Sequence, residues 1–418
     1  MRISIFFFIL LHTSLLASFD GRIIDITTKE PIFNAKISDS NSTSYSDING
    51  SFSIRSDEDN YFIKAYGYRP FSFSRDHNNS TLEIESIEVK ALYLNFWGAR
   101  IKSKTFKRIL EICDETEINS VVIDIKSVYG HTVYKTSFEK ANSYGAWYQR
   151  TIKDIDEFMS ILKEKNIYTI ARIATFKDEL QALNNPEYAI RDSNGTIWKN
   201  HDNIAWVDPY SKKSHIYAVE IAKDAARIGF DEINFDFIRF PARRGLIYLK
   251  EDTQKNRVQA ISDFLEFSQN ELRQFGVFIS VNTYGNICWS KDDTGIGQTV
   301  IDLSKHADYL SPMLYPSGFA TGFFGLGNPA EHPHAVIYRS INKIKDIVDP
   351  SRIRPWLQHF KDYTTSEVFY GKKEIKEQIR ATDEHNVSGW MMWSPSSRYT
   401  LNYFQKNIIE DENLSVSP

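Results

Sequence analysis

The sequence has little cysteine and no long basic run. Cys113 and Cys288 are the only cysteines in 418 residues, and no zinc-type spacing of Cys and His occurs, so neither a disulfide framework nor a structural zinc site is expected. We predict that both thiols are free and that the protein needs no metal and no cofactor. The net charge of −4 and the lack of a basic run that could follow a phosphate backbone make nucleic acid a poor candidate partner.

Long hydrophobic runs are also missing, except at the N-terminus. There Arg2 precedes an almost wholly apolar stretch over residues 3–16, and the small residues Ala17 and Ser18 follow it. The stretch is short against the roughly 20 residues that span a bilayer, and the arrangement is typical of a secretory signal peptide. We predict a signal peptide over residues 1–18 and a periplasmic or secreted mature chain with no membrane attachment. An uncleaved membrane anchor is the alternative.

Aromatic residues, in contrast, are abundant. They make up 14% of the chain, with 28 Phe, 22 Tyr and 8 Trp. Most of them are expected to fill a hydrophobic core, but Trp and Tyr also combine rigid apolar area with a polar group. Some of them are therefore candidates for stacking on sugar rings in a groove.

The segment 19–87 has the pattern of a small all-β domain. Residues alternate between apolar and polar in short runs, and turns rich in Gly, Pro, Asn and Asp separate these runs, which is typical of a β-sandwich. The predicted strands are residues 21–25, 35–38, 51–55, 61–65 and 81–84. The spacing of Gly21, Asp25, Pro31, Asp47 and Gly50 resembles that of the regulatory-like sandwich of carboxypeptidases. That resemblance implies a non-catalytic attachment or spacer module.

From residue 88 to residue 410 the pattern changes to strands that alternate with helices. Eight such units predict a closed parallel (β/α)₈ barrel, an α/β fold of the TIM type, followed by a tail over residues 411–418. An open doubly wound sheet is the alternative, but no Gly-x-Gly-x-x-Gly follows the first strand. The eight predicted strands are residues 89–97, 120–126, 167–175, 230–237, 276–282, 307–315, 353–359 and 388–393.

The fourth predicted strand carries the richest set of polar residues. Alternation places Glu232, Asn234 and Asp236 on one face and Phe235 and Phe237 on the other, where the two rings are expected to pack under helices. The inward face of a barrel strand leads to the active site at its carboxyl end. We therefore expect Asp236 at the mouth of the barrel.

A carboxylate at that position is suited to catalysis. Pro241 ends the strand, so that Asp236 lies near the mouth and Arg239 lies in the first turn of the loop. The guanidinium of Arg239 would keep Asp236 ionised, as a nucleophile or a base requires. A purely structural ion pair between Asp236 and Arg239 is the alternative.

The second predicted strand offers another carboxylate. Alternation puts Asp124 and Lys126 on one face, and Asp124 could then lie opposite Asp236 across the pocket. Because interior charges must be partnered, a buried pair between Asp124 and Lys126 is an alternative of similar weight.

Polar or aromatic residues also end most of the other strands. A ring of such groups suits a sugar, because each hydroxyl that leaves water needs a new hydrogen bond. The candidates for substrate binding are Lys126, Arg172, Arg239, Asn282, Tyr315, Gln358 and Trp393.

The long connection over residues 176–211 adds a second group of aromatic and acidic residues. Trp206 is a further candidate for substrate binding, and Asp208 is a further candidate acid, although it could equally cap the helix that begins near Ser211. Glu331, in the sixth loop, is another acid, with a solvated surface position as the alternative.

Several of these segments together resemble a family of bacterial glycoside hydrolase domains, over roughly residues 90–404. The resemblance implies a TIM barrel of the large glycosidase clan, with catalytic acids at strand ends. Two loops depart from the family pattern, at Ser394–Pro395 and at Arg243–Arg244. The segments that carry the resemblance are VIDIK (122–126), ARI (171–173), WVDPY (206–210), GFDEI (229–233), FDFIRFP (235–241), SPMLYPS (311–317), RPWLQ (354–358) and GWMMW (389–393).

We therefore predict hydrolysis of an extracellular or envelope polysaccharide by two carboxylates. Asp236 is the nucleophile or base, and its partner is Asp124, Asp208 or Glu331. The fifth strand ends in Asn282, where many barrel glycosidases would have a Glu. This absence favours the second hypothesis, a catalytically silent protein of the cell envelope that binds carbohydrate.

Overall fold

The computed structural model describes residues 18–77, 81–147, 151–364 and 366–405. The predicted tail over residues 411–418 and, apart from Ser18, the predicted signal peptide lie outside these residues. Among the helices of the described ranges, none is both long and apolar enough to cross a membrane. Cys113 and Cys288 are free thiols.

The N-terminal part is built from two β-sheets. Buried apolar residues of both sheets, among them Ile23, Ile37 and Phe73, form one hydrophobic core, which is why the sheets pack together. The order of strands is β4-β1-β7 in one sheet and β3-β2-β5-β6 in the other. The strands are β1 (Ser18–Asp25), β2 (Lys36–Ser38), β3 (Thr43–Tyr45), β4 (Ser51–Arg55), β5 (Asn60–Lys64), β6 (Phe71–Ser74) and β7 (Thr81–Ile84).

The predicted small all-β fold of this part is confirmed, with two differences. The strands β3 and β6 were not predicted, because three or four residues are too few to show a clear alternation. All strand pairs are antiparallel except β1 with β7, which run parallel.

The second part is a closed barrel of eight parallel strands, which confirms the predicted (β/α)₈ fold. Each strand pairs with the next, and the last pairs with the first, so the barrel has no free edge. The strands are β8 (Val89–Leu94), β9 (Ser120–Lys126), β10 (Tyr168–Ala174), β11 (Glu232–Asp236), β12 (Phe278–Tyr284), β13 (Tyr309–Met313), β14 (Trp356–Gln358) and β15 (Gly389–Trp393).

Helices surround the barrel and cover the apolar outer faces of its strands. Phe235 of β11, for example, packs its ring 4.9 Å from that of Phe264, as alternation predicts. The helices are α1 (Lys104–Glu115), α2 (Glu139–Ser143), α3 (Ile155–Glu164), α4 (Glu179–Asn184), α5 (Lys212–Ile228), α6 (Gln254–Leu272), α7 (Val300–Ser304), α8 (Pro333–Ile344) and α9 (Lys372–Asp383).

The amino-terminal end of the barrel interior is filled by a buried ion pair. Arg354 Nη1 lies 2.6 Å from Glu232 Oε2, and the Tyr168 hydroxyl donates to the same oxygen at 3.0 Å. The aromatic ring of Tyr309 lies 4.0 Å from the Arg354 guanidinium. Glu232, on the inward face of β11, is therefore a structural residue below the candidate site.

The sandwich packs against the amino-terminal ends of the barrel strands. Lys64 Nζ lies 2.7 Å from Asp308 Oδ2, just before β13. The Phe62 ring covers Gly276, just before β12, so closely that a Cβ at Gly276 would lie 2.4 Å from it. Because parallel strands share one direction, this contact is on the face opposite the carboxyl ends of the strands.

Candidate active site

A cavity of about 340 Å³ opens at the carboxyl ends of the barrel strands. This is the end where barrel enzymes carry their sites, and each strand presents its last inward side chains there. The side chains around the cavity come from six of the eight strands and the loops that follow them. They include Arg172, Asp236, Phe237, Arg239, Asn282, Tyr284, Asn286, Met313, Tyr315, Phe319, Trp356, Tyr363 and Trp393.

Asp236 is the last residue of β11 and forms part of the cavity wall. The strand ends here because Phe237 adopts a left-handed backbone with φ of 50°, which is rare for a bulky residue and concentrates at functional sites. The Phe237 backbone N–H donates to Asp236 Oδ1 at 2.6 Å. The Phe237 ring therefore faces the cavity and Trp206, 5.8 Å away, and the prediction that it packs under helices is wrong.

The ion-pair partner of Asp236 is Arg172 of β10, whereas the sequence suggested Arg239. Arg172 donates from Nε to Asp236 Oδ2 at 2.9 Å, and its Nη2 lies 2.6 Å from the same oxygen. Its Nη1 donates to Asp124 Oδ1 at 2.5 Å. One guanidinium thus joins the two predicted carboxylates.

Asp124 lies one layer deeper in the barrel than Asp236. In the sheet register Arg172 is level with Asp124, whereas Asp236 is level with Ala174, two residues closer to the mouth. The Tyr93 hydroxyl donates to Asp124 Oδ2 at 3.1 Å. Burial raises the pKa of Asp124, although the hydrogen bonds and charge of Arg172 act against it. Asp124 is nearly buried behind Arg172.

Lys126 is not on the same face as Asp124, so that prediction is wrong. Between Asp124 and Lys126 the pairing with β10 shifts by one residue, because Ile125 is bulged out of register. Lys126 therefore points outwards and is fully buried, with Nζ 2.7 Å from Asp178 Oδ2. The structure does not bring Lys126 to the cavity.

Asn282 occupies the wall next to Asp236, and its neighbours fix its orientation. Trp356 Nε1 donates to Asn282 Oδ1 at 2.7 Å, and Asn234 Nδ2 donates to the same oxygen at 2.9 Å. Because both donors bind Asn282 Oδ1, the side-chain NH₂ group of Asn282 is directed away from them. Asn282 is thus placed to donate a hydrogen bond into the cavity.

Aromatic rings form much of the remaining wall. Trp393, at the end of β15, stacks on Tyr93 with 4.0 Å between ring centroids, and the Arg172 guanidinium lies 5.3 Å from the Trp393 ring. Tyr284 and Tyr363 are 41% and 69% exposed at the rim. These two rings offer apolar area to a ligand that approaches from solvent.

Arg239 also belongs to the wall, in a cage of three aromatic rings. Its guanidinium lies 5.1 Å from the ring of Trp206, 5.2 Å from that of Tyr284 and 5.7 Å from that of Phe237. Trp206 itself is buried beneath Arg239 and is not part of the cavity wall, where it was predicted to contact the substrate.

Three other predicted residues lie outside the cavity wall. Gln358 is fully buried. Its Oε1 accepts from the Ser317 backbone N–H at 3.1 Å and its Nε2 donates to the Ser317 hydroxyl at 2.6 Å, so it holds the loop after Tyr315. Glu331 is exposed on another loop. Asp208 accepts from the backbone N–H groups of Tyr210 and Leu249, at 2.8 and 2.6 Å. Its side chain does not cap the helix that follows Ser211.

The residues of this site that were missed in the sequence include Tyr93, Tyr284, Trp356 and Tyr363. Tyr93 has a signal, because it is on the same face of β8 as Val89 and Ala91 and near its carboxyl end. Trp356 and Tyr284 likewise have inward or terminal positions on β14 and β12. Tyr363 lies in a loop without periodicity, and no sequence pattern could have placed it.

The described residues include no group of three or more His, Cys, Asp or Glu side chains that could hold a metal ion. Among the described residues, the cavity wall consists mainly of hydrogen-bond donors, one carboxylate and aromatic rings. This combination suits a polar organic ligand with apolar faces, as a sugar has.

This chain is similar to several proteins of known structure. The glycoside hydrolase domain of PgaB (BpsB) from Bordetella bronchiseptica superposes with a TM-score of 0.55, at 11% identity, over 76% of this chain and 99% of that one. A hypothetical protein from Ruminiclostridium thermocellum is 33% identical over 46% of this chain and 96% of its own, with a TM-score of 0.41. An α-galactosidase from Thermus thermophilus gives 0.46, at 11% identity, over 87% of this chain and 74% of that one. No curated protein matches the chain.

The sequence itself supplies the assignment. Residues 91–399 match the model of a family described as "Putative glycosyl hydrolase domain". The match includes all strand ends that surround the cavity, from Arg172 on β10 to Trp393 on β15. Because it spans well over half of the 418 residues, the chain belongs to this family of glycosyl hydrolase domains.

Proposed function

We propose that the protein hydrolyses glycosidic bonds of a polysaccharide in the cavity at the barrel mouth, with Asp236 and Asp124 as the two carboxylates. The observation that carries the proposal is the position of Asp236. It ends an inward-facing strand, opens into a cavity with aromatic walls, and is held by Arg172 and by a backbone N–H. These are the features that position a carboxylate against a sugar ring.

The environments of the two carboxylates suggest different roles. Asp236 accepts hydrogen bonds from Arg172 Nε and from the Phe237 backbone N–H, and its Oδ2 also lies 2.6 Å from Arg172 Nη2, so the carboxylate is held beside a positive charge at the cavity. It acts as nucleophile, base or stabiliser of the positive charge that develops on the sugar. Asp124 lies one layer further from the mouth than Asp236, and burial raises its pKa. It is the group to hold and deliver the proton, once substrate binding has moved Arg172.

The substrate is proposed to lie outside the cytoplasm, in line with the predicted signal peptide. The exposed rings of Tyr284 and Tyr363 continue the aromatic wall to the rim of the cavity. A ligand that contacts both the cavity and this rim is longer than one sugar ring. A polysaccharide therefore fits the site better than a monosaccharide glycoside.

One observation favours a second candidate function, binding without catalysis. Among the described residues, Asp236 is the one carboxylate of the cavity wall, and Arg172 ties both Asp236 and Asp124 in a closed ion-pair network. A network of this kind also suits a rigid binding site in which neither carboxylate is released.

Release of reducing ends from a panel of neutral, acidic and amino-sugar polysaccharides tests the proposal. We expect the wild type to cleave at least one polymer and the Asp236→Asn variant to be slower by about a thousandfold or more, a barrier increase of about 4 kcal/mol. The matched control is Asp346→Asn, an exposed carboxylate after α8, which should cleave at the wild-type rate. Binding of a polymer without any release of reducing ends would instead support the second candidate.

A further inference from the structure

The cavity wall contains a positive charge that has no carboxylate partner among the residues that the structure describes. Its charged residues are Arg172, Asp236 and Arg239, and the two ion pairs at this site both use Arg172. Within the described residues no carboxylate lies at ion-pair distance from Arg239, and its guanidinium makes one hydrogen bond, from Nη1 to the Phe240 carbonyl at 3.0 Å. A guanidinium has five N–H donors, so most of those of Arg239 are available.

The two arginines of the wall differ in how their charge is compensated. Burial acts against the charge of both guanidinium groups. At Arg172 the carboxylates of Asp124 and Asp236 outweigh burial and raise the pKa. At Arg239 burial prevails over the weaker attraction of Tyr284 and Asp236, and the pKa is lowered. A desolvated and uncompensated charge is costly to a fold, and such groups concentrate at functional sites.

The aromatic cage fixes where this charge points. Trp206, Phe237 and Tyr284 hold the flat guanidinium by cation–π contacts at 5.1 to 5.7 Å from their ring centroids. These three rings cover the faces of the guanidinium, but they accept no strong hydrogen bonds from the N–H donors in its plane. The free donors are thus held in one orientation at the cavity, the arrangement that binds an anion in a bidentate way.

We infer that Arg239 selects an acidic glycan, by pairing with a carboxylate or sulfate on a sugar next to the one at Asp236. This inference rests on the proposed function only in taking the cavity as the glycan site. It adds a substrate class: a polysaccharide with anionic substituents, such as uronic acids or sulfated sugars.

Paired polymers test the inference. For the carboxylate, polygalacturonate, alginate and hyaluronate are compared with their carboxyl-reduced forms, and for the sulfate, dextran sulfate is compared with dextran. Binding is measured by titration calorimetry at physiological ionic strength, which screens loose surface attraction. We expect at least one acidic polymer to bind about tenfold or more tightly than its neutral form, since hydrogen bonds to charged groups contribute this much.

Variants then assign the preference to Arg239. Arg239→Gln should abolish it, and Arg239→Lys, which keeps the charge but loses the planar fork, should retain part of it. The control is Arg244→Gln, an exposed arginine of the same loop, which should bind like the wild type. Melting temperatures of all variants test whether each is folded. If Arg239→Gln is not folded, Arg239→Lys keeps the test valid.

The inference is overturned if no polymer binds, if every bound polymer binds equally in its neutral form, or if the preference persists without Arg239. Release of reducing ends is followed separately. An Arg239-dependent preference without cleavage would contradict the proposed hydrolysis and leave this inference intact. Cleavage of neutral polymers alone would support the proposed hydrolysis and overturn this inference.

Discussion

The ion-pair network around Arg172 gives the sharpest prediction for stability. In the Arg172→Gln variant, Asp124 and Asp236 lose their shared cation while both remain nearly buried. Breaking a buried pair in this way leaves uncompensated charge and typically costs about 3–5 kcal/mol. We expect a loss of this size in the free energy of unfolding at pH 7.

The loss should depend on pH, and its sign follows from the carboxylates. Without the guanidinium, burial and repulsion from Asp236 raise the pKa of Asp124 in the folded state above its ordinary value of 3.8. The folded variant then binds protons that the unfolded chain releases. Its stability is retained below pH 4 and lost as the pH rises through the raised pKa of Asp124. The loss is about 1.4 kcal/mol for each pH unit that separates a raised pKa from its ordinary value.

Urea denaturation of the wild type and the variant at pH 4 and pH 7 measures both effects. Arg172→Lys is the control, because it keeps a charge and should recover part of the stability at pH 7. Adding Asp124→Asn to Arg172→Gln should also recover part of it, since one unpaired carboxylate is removed. A loss below about 1 kcal/mol, or one that is equal at both pH values, would refute this account of the network.

The remaining predictions concern the carboxylates of Asp124 and Asp208 and the sandwich. Asp124→Asn should lower kcat by about a hundredfold or more if Asp124 delivers the proton, and kinetics with Tyr93→Phe, expected to have a smaller effect, provide the comparison. Burial raises the pKa of Asp208 to about 6, so its contribution to stability is present below about pH 4 and lost as the pH rises through 6. Between pH 4 and pH 7 the free energy of unfolding of the wild type should therefore fall by about 3 kcal/mol relative to that of Asp208→Asn, while the turnover of the variant equals that of the wild type. A difference in stability that does not vary with pH would contradict this. Lys64→Ala leaves Asp308 without its cation and should cost about 3 kcal/mol with turnover per folded molecule unchanged, whereas Lys29→Ala, in an exposed pair with Glu83, should cost less than about 1 kcal/mol.

The fold was predictable because each barrel strand has a clear local pattern. All eight strands of the barrel lie within or close to the predicted runs, since buried parallel strands read as apolar segments between amphipathic helices. The position of Asp236 followed from the same reasoning, as the last inward residue of its strand before Pro241. Strand periodicity thus carries both the architecture and the location of the mouth.

The pairing of charges within the site was not predictable. The bulge at Ile125, which turns Lys126 outwards, depends on how two strands fit together and leaves no trace in either strand alone. Arg239 is close to Asp236 in sequence, but the turn at Phe237 carries it to the aromatic cage, so that Arg172 from the neighbouring strand takes its place. Gln358 ends its strand as predicted and is then covered by the loop at Ser317.

A structure of the Asp236→Asn variant with a bound oligosaccharide tests the central claim most directly. The oligosaccharide is taken from the polymer that the protein cleaves or binds. The account predicts a sugar ring in the cavity against Trp393 or Tyr284, with a glycosidic oxygen or anomeric carbon within about 3.5 Å of the side chain at position 236. A ligand bound elsewhere on the barrel, or one in the cavity with its glycosidic bonds out of reach of positions 236 and 124, would contradict it.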